Sequence, residues 1–179
     1  MIVFVYDFDD TLFATSYFSM NPEGKSALLS DSISSLLNTS LKYGKVYIIT
    51  NASRDWPEFV INSHLIDGKN ILDNITIVST HNCYKTDMST WKTLAFNETL
   101  KKYFEDGNKH ELISFGDSPY DYAAALSIKE RYPNVIVKSV RMGIMPSLTQ
   151  LLCQQTILYN QLEFIVQNEN HLDLVMHKS

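Results

Sequence analysis

Acidic and hydroxyl side chains follow three separate apolar runs of this sequence. The three segments are Asp7-Phe8-Asp9-Asp10-Thr11 after Ile2–Tyr6, Thr50-Asn51-Ala52-Ser53 after Val46–Ile49, and Gly116-Asp117-Ser118-Pro119-Tyr120-Asp121 after Leu112–Phe115. Carboxylates that converge on one place repel one another and need a counter-ion. Carboxylate, carbonyl and water oxygens are the ligands that Mg²⁺ prefers. The sequence therefore predicts a Mg²⁺ site where these segments meet.

The elements that would bring the segments together are strands of one parallel sheet. Five apolar runs are rich in Ile and Val and barely alternate with polar residues, which is typical of strands covered on both faces. They are Ile2–Tyr6, Val46–Ile49, Ile75–Val78, Leu112–Phe115 and Val135–Val137. Amphipathic stretches lie between them and predict helices. This alternation predicts an α/β fold with about five parallel strands, whose carboxyl ends bind the ligand.

Four helix starts can be located from capping residues. Ser30 or Asp31 can cap a helix that ends at Gly44, and Ser89 can cap a second. Pro119 stands at a third start and Pro146–Ser147 at a fourth. Residues from about Asn168 onward look like a loose tail, so we expect a domain over 1–168 and a C-terminal tail over 169–179.

Composition narrows the class of protein. The chain has 179 residues and a net charge of −5, which predicts one domain and gives no general affinity for nucleic acid or anionic membranes. Two cysteines, Cys83 and Cys153, form neither a disulfide framework nor a zinc motif. No signal-peptide pattern and no run of about 18 apolar residues is present. We therefore expect a cytoplasmic protein with no membrane partner.

The three segments resemble motifs of the haloacid dehalogenase (HAD) superfamily. Asp7-x-Asp9-x-Thr11 is similar to its first motif, Thr50 to its second, and Gly116-Asp117-x-x-x-Asp121 to its fourth. The resemblance covers residues 2 to about 140 and implies a single Rossmann-like, HAD-type domain. The short intervals between the motifs leave no room for a large cap domain. The chain thus looks like a capless HAD phosphatase and is similar to uncharacterised HAD-like proteins.

The resemblance implies a Mg²⁺-dependent phosphomonoester hydrolase that works through an aspartyl-phosphate. Asp7 would be the nucleophile, Asp9 the general acid and base, and Thr50 a ligand of the phosphoryl group. Asp7, the backbone carbonyl of Asp9, and Asp117 would hold Mg²⁺, with Asp121 as an auxiliary metal residue. Substrate contacts would come from Thr11, Asn51 and Ser118.

The family's third motif is a lysine, for which this sequence offers two candidates. Lys92 lies in the first turn of the predicted Ser89-capped helix, within a Trp91-Lys92 pair that looks similar to one in HAD-like proteins. Lys85 lies in the loop before that helix and could reach the same edge. We favour Lys92 as the lysine that would pair with the nucleophile.

Alternatives remain for several features. A non-catalytic phosphate or Mg²⁺ binding module could use the same fold. A receiver-like signalling domain is disfavoured because its acidic pair precedes its phospho-acceptor by a whole βαβ unit, whereas Asp7-x-Asp9-x-Thr11 is one continuous segment here. The phosphorylated substrate could be a protein, a polynucleotide or a small molecule, and the chain could be a monomer or a homodimer through its C-terminal helix.

Two alternatives also remain for the aromatic residues that follow the first and second segments. Trp56 either lines the substrate entrance or packs in a helix. Phe13, Tyr17 and Phe18 form either a flap or ordinary packing.

Overall fold

Six parallel strands form a single sheet in this computed structural model, which describes residues 1–66, 70 and 72–176. The strands are β1 (Ile2–Tyr6), β2 (Lys45–Thr50), β3 (Thr76–Ser79), β4 (His110–Gly116), β5 (Val135–Arg141) and β6 (Leu172–Val175). Their spatial order is β3-β2-β1-β4-β5-β6, and every neighbouring pair is parallel. This is the Rossmann order. The predicted α/β class is confirmed, with six strands where about five were expected.

Helices cover both faces of the sheet. They are α1 (Thr15–Met20), α2 (Ala27–Tyr43), α3 (Trp56–His64), α4 (Trp91–Phe104), α5 (Pro119–Arg131) and α6 (Leu148–Gln167). Side chains of α2, α3 and α6 share one buried cluster with Phe4 and Tyr6, whereas α4 and α5 share another with Val3 and Val5. Successive residues of β1 point to opposite faces, so both clusters draw on this central strand.

Two helices begin at positions other than the expected ones. The hydroxyl of Ser26, not of Ser30 or Asp31, accepts the cap hydrogen bond of α2, from the backbone N–H of Leu29 at 3.1 Å. One more turn of helix adds Leu29 to the buried stripe. Before α4, a 3₁₀ turn at Met88–Thr90 is capped by Asp87, so Ser89 lies inside that turn and is not a cap.

The assignment of 169–179 to a loose tail is wrong for Leu172–Val175, which form β6 beside β5. Arg141 and Asp173 join the two strands through an ion pair of 2.9 Å, and the Tyr122 hydroxyl donates to Asp173 at 3.1 Å. A four-residue edge strand that carries a charge lacks the continuous apolar run of a central strand. The apolar pattern of the sequence therefore does not predict β6. Residues 177–179 of the assigned tail lie outside the described residues.

The connections near the first strand are short. Only α1 and its flanking loops separate β1 from α2, and within the described residues no cap domain is inserted. Phe18 of α1 is buried and stacks on Phe13 at 5.0 Å between ring centroids, so this aromatic group packs into the core.

Among the helices of the described residues, none has the length and apolar character needed to cross a membrane.

Candidate functional site

The acidic segments meet between β1 and β4, where the strand order reverses direction. These strands are neighbours in the sheet, with Tyr6 paired to Phe115. The backbone N–H of Asp7 donates to the carbonyl of Phe115 at 2.9 Å, which extends the pairing to the strand end. Asp7 and Asp117 therefore emerge side by side. In open parallel sheets, this crevice is where ligands bind.

Lys92 lies between two carboxylates of the site. Its Nζ is 2.6 Å from Oδ1 of Asp7 and 2.5 Å from Oδ1 of Asp121, and the lysine side chain is 3% exposed. Burial alone would lower the pKa of Lys92, but the two carboxylates outweigh burial and raise it above its ordinary value. The ammonium group is thus charged. Lys85, the other candidate, is exposed.

Asp7, Asp117 and Asp121 form a compact cluster of carboxylates. One oxygen from each lies within 4.8 Å of the others. Burial is the largest cause that raises the pKa of Asp7 well above its usual range, and Lys92 opposes it. The pKa of Asp117 rises to about 6, mainly through burial and then through Asp121 and Asp10. When ionised, three carboxylates beside one ammonium leave two negative charges uncompensated, so hard oxygen ligands and charge both fit a divalent cation.

Asp121 is fixed by the start of α5. Its Oδ2 accepts hydrogen bonds from the Ser118 backbone N–H (3.2 Å) and hydroxyl (2.6 Å). The backbone N–H of Asp121 donates to the Ser118 hydroxyl at 3.4 Å, which completes a capping box. Its Oδ1 faces Lys92. A Cβ on Gly116 would lie 2.3 Å from the Asp121 Cγ, so only glycine leaves space for this carboxylate. The Ser118 hydroxyl is thereby engaged in capping, whereas a substrate contact was predicted for it.

Asp9 lies in a different environment from Asp7. Its Oδ1 accepts hydrogen bonds from the Thr15 hydroxyl at 2.6 Å and from the indole N–H of Trp56 at 2.8 Å. Its Oδ2 is 3.3 Å from the hydroxyl of Thr50. Asp7 and Asp9 thus lie in separate environments: Asp7 faces a buried ammonium, and Asp9 faces neutral donors. Such a division suits two different chemical roles.

The loop after β2 is fixed by β3 and the residues that follow it. Thr50 is fully buried, and its hydroxyl accepts from the backbone N–H of Ala52 at 3.0 Å. Thr80 donates from its backbone N–H to the Thr50 carbonyl and from its hydroxyl to Oδ1 of Asn51. The Ser79 hydroxyl donates to the Ala52 carbonyl at 2.6 Å. Asn51 therefore lies next to Thr50 in a rigid turn near Asp9.

The backbone after Asp7 turns sharply, and α6 supports the turn. Asp10 has a φ of 56°, a left-handed conformation that Asp tolerates better than most residues. Its Oδ1 accepts from the Ser16 backbone N–H at 2.8 Å. The Gln155 side chain of α6 donates to the carbonyls of Thr11 and Leu12. Thr11 itself is 1% exposed, so the geometry gives no support to its predicted substrate contact.

The hydrogen bonds from Trp56 and Thr15 to Asp9 are not predicted from the sequence. Trp56 is the first residue of α3 and Thr15 the first of α1. Neither helix follows from periodicity, since α1 has six residues and α3 has nine. The only available signal was the closeness of Trp56 to Thr50 along the chain.

Comparison of the chain with protein-family models, with curated proteins and with solved structures gave no match.

Proposed function

We propose that this protein is a HAD-type phosphomonoester hydrolase that depends on Mg²⁺ and uses Asp7 as its nucleophile. The observation that carries the proposal is the pairing of Asp7 with Lys92 inside a cluster of three carboxylates, at the carboxyl end of β1. A buried ammonium beside a carboxylate lets an anionic nucleophile approach an anionic phosphoryl group. The separate environment of Asp9, two residues further on, supports its role as an acid and base.

The chemistry proceeds in two steps. An oxygen of Asp7 attacks phosphorus in line, the bond from phosphorus to the leaving oxygen breaks, and Asp9 gives its proton to that oxygen. Asp9 then takes a proton from water, whose oxygen attacks phosphorus as the bond to Asp7 breaks. Inorganic phosphate is released and both aspartates return to their starting states. Thr50 donates its hydroxyl hydrogen bond to a phosphoryl oxygen.

Asp7, Asp117 and the backbone carbonyl of Asp9 would hold Mg²⁺, and Asp121 would orient Lys92 beside them. When bound, Mg²⁺ would neutralise the phosphoryl oxygens and the two uncompensated charges of the cluster. Both oxygens of Asp121 already accept hydrogen bonds from Lys92 and Ser118, which favours an orienting role for this residue.

The preferred substrate is a phosphate group on a macromolecule. The described residues contain no cap domain over the site, so one chain has little surface with which to enclose a small ligand. A large substrate can instead supply binding energy outside the site. The net charge of −5 favours a phosphoprotein over a long polynucleotide.

The test is the hydrolysis of p-nitrophenyl phosphate by three proteins: wild type, Asp7→Asn and the control Asp31→Asn. Asp31 is an exposed carboxylate on α2. Wild type and Asp31→Asn should release phosphate with Mg²⁺ and stop in EDTA, because the cluster cannot admit a phosphoryl group without a cation. Asp7→Asn should be inactive while keeping the wild-type fold by circular dichroism, since an amide is too weak a nucleophile.

The covalent step has its own measurement. In Asp9→Asn, the p-nitrophenolate leaving group of p-nitrophenyl phosphate departs without help from an acid. The attacking water, however, is no longer activated by a base. Acid-quenched Asp9→Asn should therefore gain the mass of one phosphoryl group, located on Asp7. Full activity of wild type in EDTA, or of Asp7→Asn, would refute the proposal. Metal binding without turnover of any phosphomonoester would favour the non-catalytic module.

A further inference from the structure

Asp9 is surrounded by donors from three different elements. The Thr15 hydroxyl comes from α1, the Trp56 indole N–H from α3 and the Thr50 hydroxyl from the end of β2. The first two donate to the same oxygen, Oδ1, at 2.6 and 2.8 Å. The contact of Thr50 with Oδ2 is 3.3 Å, which is long for a hydrogen bond between two oxygens. The two carboxylate oxygens are therefore not equivalent.

We propose that Trp56 and Thr15 are positioning residues that fix Oδ1 of Asp9, so that Oδ2 is the oxygen that carries and transfers the proton. This inference rests on the proposed hydrolase function. An indole N–H can only donate, so Oδ1 must remain an acceptor while Trp56 contacts it. A proton on Asp9 then belongs on Oδ2.

The two donors are themselves held in place. The ring of Trp56 stacks on the ring of Phe59 at 5.9 Å between centroids. The backbone N–H of Trp56 donates to the Ser53 carbonyl at 3.1 Å. Thr15 begins α1, which is anchored by the buried side chain of Phe18. Donors on anchored elements fix the carboxyl plane before the substrate arrives.

Proton balance follows from this arrangement. In the first step, the proton on Oδ2 moves to the leaving oxygen as the bond from Asp7 to phosphorus forms. In the second step, Oδ2 takes a proton from the attacking water. The Thr50 hydroxyl has one proton and already accepts from Ala52, so it can turn its proton from Oδ2 to a phosphoryl oxygen when substrate binds.

The test compares two leaving groups in Trp56→Phe, which keeps an aromatic ring against Phe59 and removes the N–H. Phenyl phosphate needs protonation of its leaving oxygen, whereas p-nitrophenyl phosphate needs little. We expect kcat/KM for phenyl phosphate to fall about tenfold or more, and that for p-nitrophenyl phosphate by less than about threefold. Thr15→Val should show the same selectivity, and Thr15→Ser should restore the rate because it restores the hydroxyl.

The matched control is Trp91→Phe. Trp91 is the other tryptophan of the chain, and its indole N–H donates to the Thr86 carbonyl at 3.0 Å. This variant should leave the ratio of the two kcat/KM values unchanged. Equal losses on both substrates in Trp56→Phe, no loss on either, or a selective loss in Trp91→Phe would each overturn the positioning role.

A second measurement separates this inference from the proposed function. Trp56→Phe identifies the indole N–H resonance of Trp56 in a ¹H–¹⁵N spectrum, and Asp9→Ala should then shift that resonance and not that of Trp91. A Trp56 resonance that does not move overturns the inference even if the enzyme is active. A resonance that moves in a protein without phosphatase activity confirms the hydrogen bond, but it refutes the hydrolase function and with it the proton-transfer role.

Discussion

The side chain of Lys92 has a charge environment unlike that of a surface lysine. It is buried, and both of its ion-pair contacts are with carboxylates of the cluster. A buried ammonium group is costly unless it is paired, and the two carboxylates supply that pairing. If the ammonium were removed, Asp7 and Asp121 would face each other without the cation that lies between them.

We predict that Lys92→Met lowers kcat for p-nitrophenyl phosphate by about 10²–10³-fold, the loss typical of one positioned donor at a site of developing charge. The physical reason is that the phosphoryl group and Asp7 repel each other without the ammonium. The matched control is Lys85→Met, which replaces an exposed lysine of the preceding loop. Steady-state kinetics at saturating Mg²⁺ measure both variants. Comparable losses in the two variants would mean that Lys92 has no special role.

At the residue scale, the sequence was informative where side chains follow strands. The segments containing Asp7, Asp117 and Asp121 could be placed together because parallel strands end at one edge of a sheet. The partners of Asp9 could not, because a contact between Trp56 and Asp9 depends on how α3 packs. Thr11 is a different case: its motif position predicts a substrate contact, and the structure places its side chain in a buried position.

The loop after β1 depends on α6, an element far away in sequence. Gln155 is fully buried and its Nε2 donates to the carbonyls of Thr11 (3.0 Å) and Leu12 (2.8 Å). Those carbonyls belong to the turn that carries Asp9 and Asp10. The C-terminal helix therefore supports the site in addition to filling the core.

We predict that Gln155→Leu lowers the free energy of unfolding by about 1–3 kcal/mol, since buried carbonyls lose their donor. Urea denaturation measures this loss. The same variant should lower kcat, because the turn after Asp7 loses its support. Gln161→Leu, on an exposed position of the same helix, should change stability by less than about 0.5 kcal/mol. If Gln155→Leu behaved like Gln161→Leu, the support from α6 would be unimportant.

At the element scale, buried strands were the easiest part to predict. Central strands such as β1 and β2 are covered on both faces, so most of each strand is a continuous apolar run. Short or edge elements lack that signature, and α1, α3 and β6 were missed for this reason. The start of α2 was placed a turn too late because Leu29 was left out of the apolar stripe.

The whole molecule is a Rossmann-like sheet with its candidate site at the point where the strand order reverses. Strands β1 and β4 supply Asp7 and Asp117, α4 supplies Lys92, and α5 supplies Asp121. These elements lie within residues 2–131, and α6 supports the turn that follows β1. Nothing larger than α1 is inserted near Asp9 within the described residues.

An open site has a consequence for substrate size. When the protein cannot enclose a small ligand, interactions away from the phosphoryl group are few and cannot be used to stabilise the transition state. We therefore predict that kcat/KM for a phosphopeptide exceeds that for free sugar phosphates by about tenfold or more, a difference of about 1.4 kcal/mol in transition-state binding. Phosphate release at limiting substrate measures both.

The unphosphorylated peptide is the control and should inhibit competitively, because its contacts lie outside the phosphoryl site. A 5′-phosphorylated oligonucleotide preferred over the peptide would reassign the macromolecular class. A single small metabolite as the best substrate, hydrolysed at a rate per chain that is independent of protein concentration, would instead show that one chain encloses its ligand.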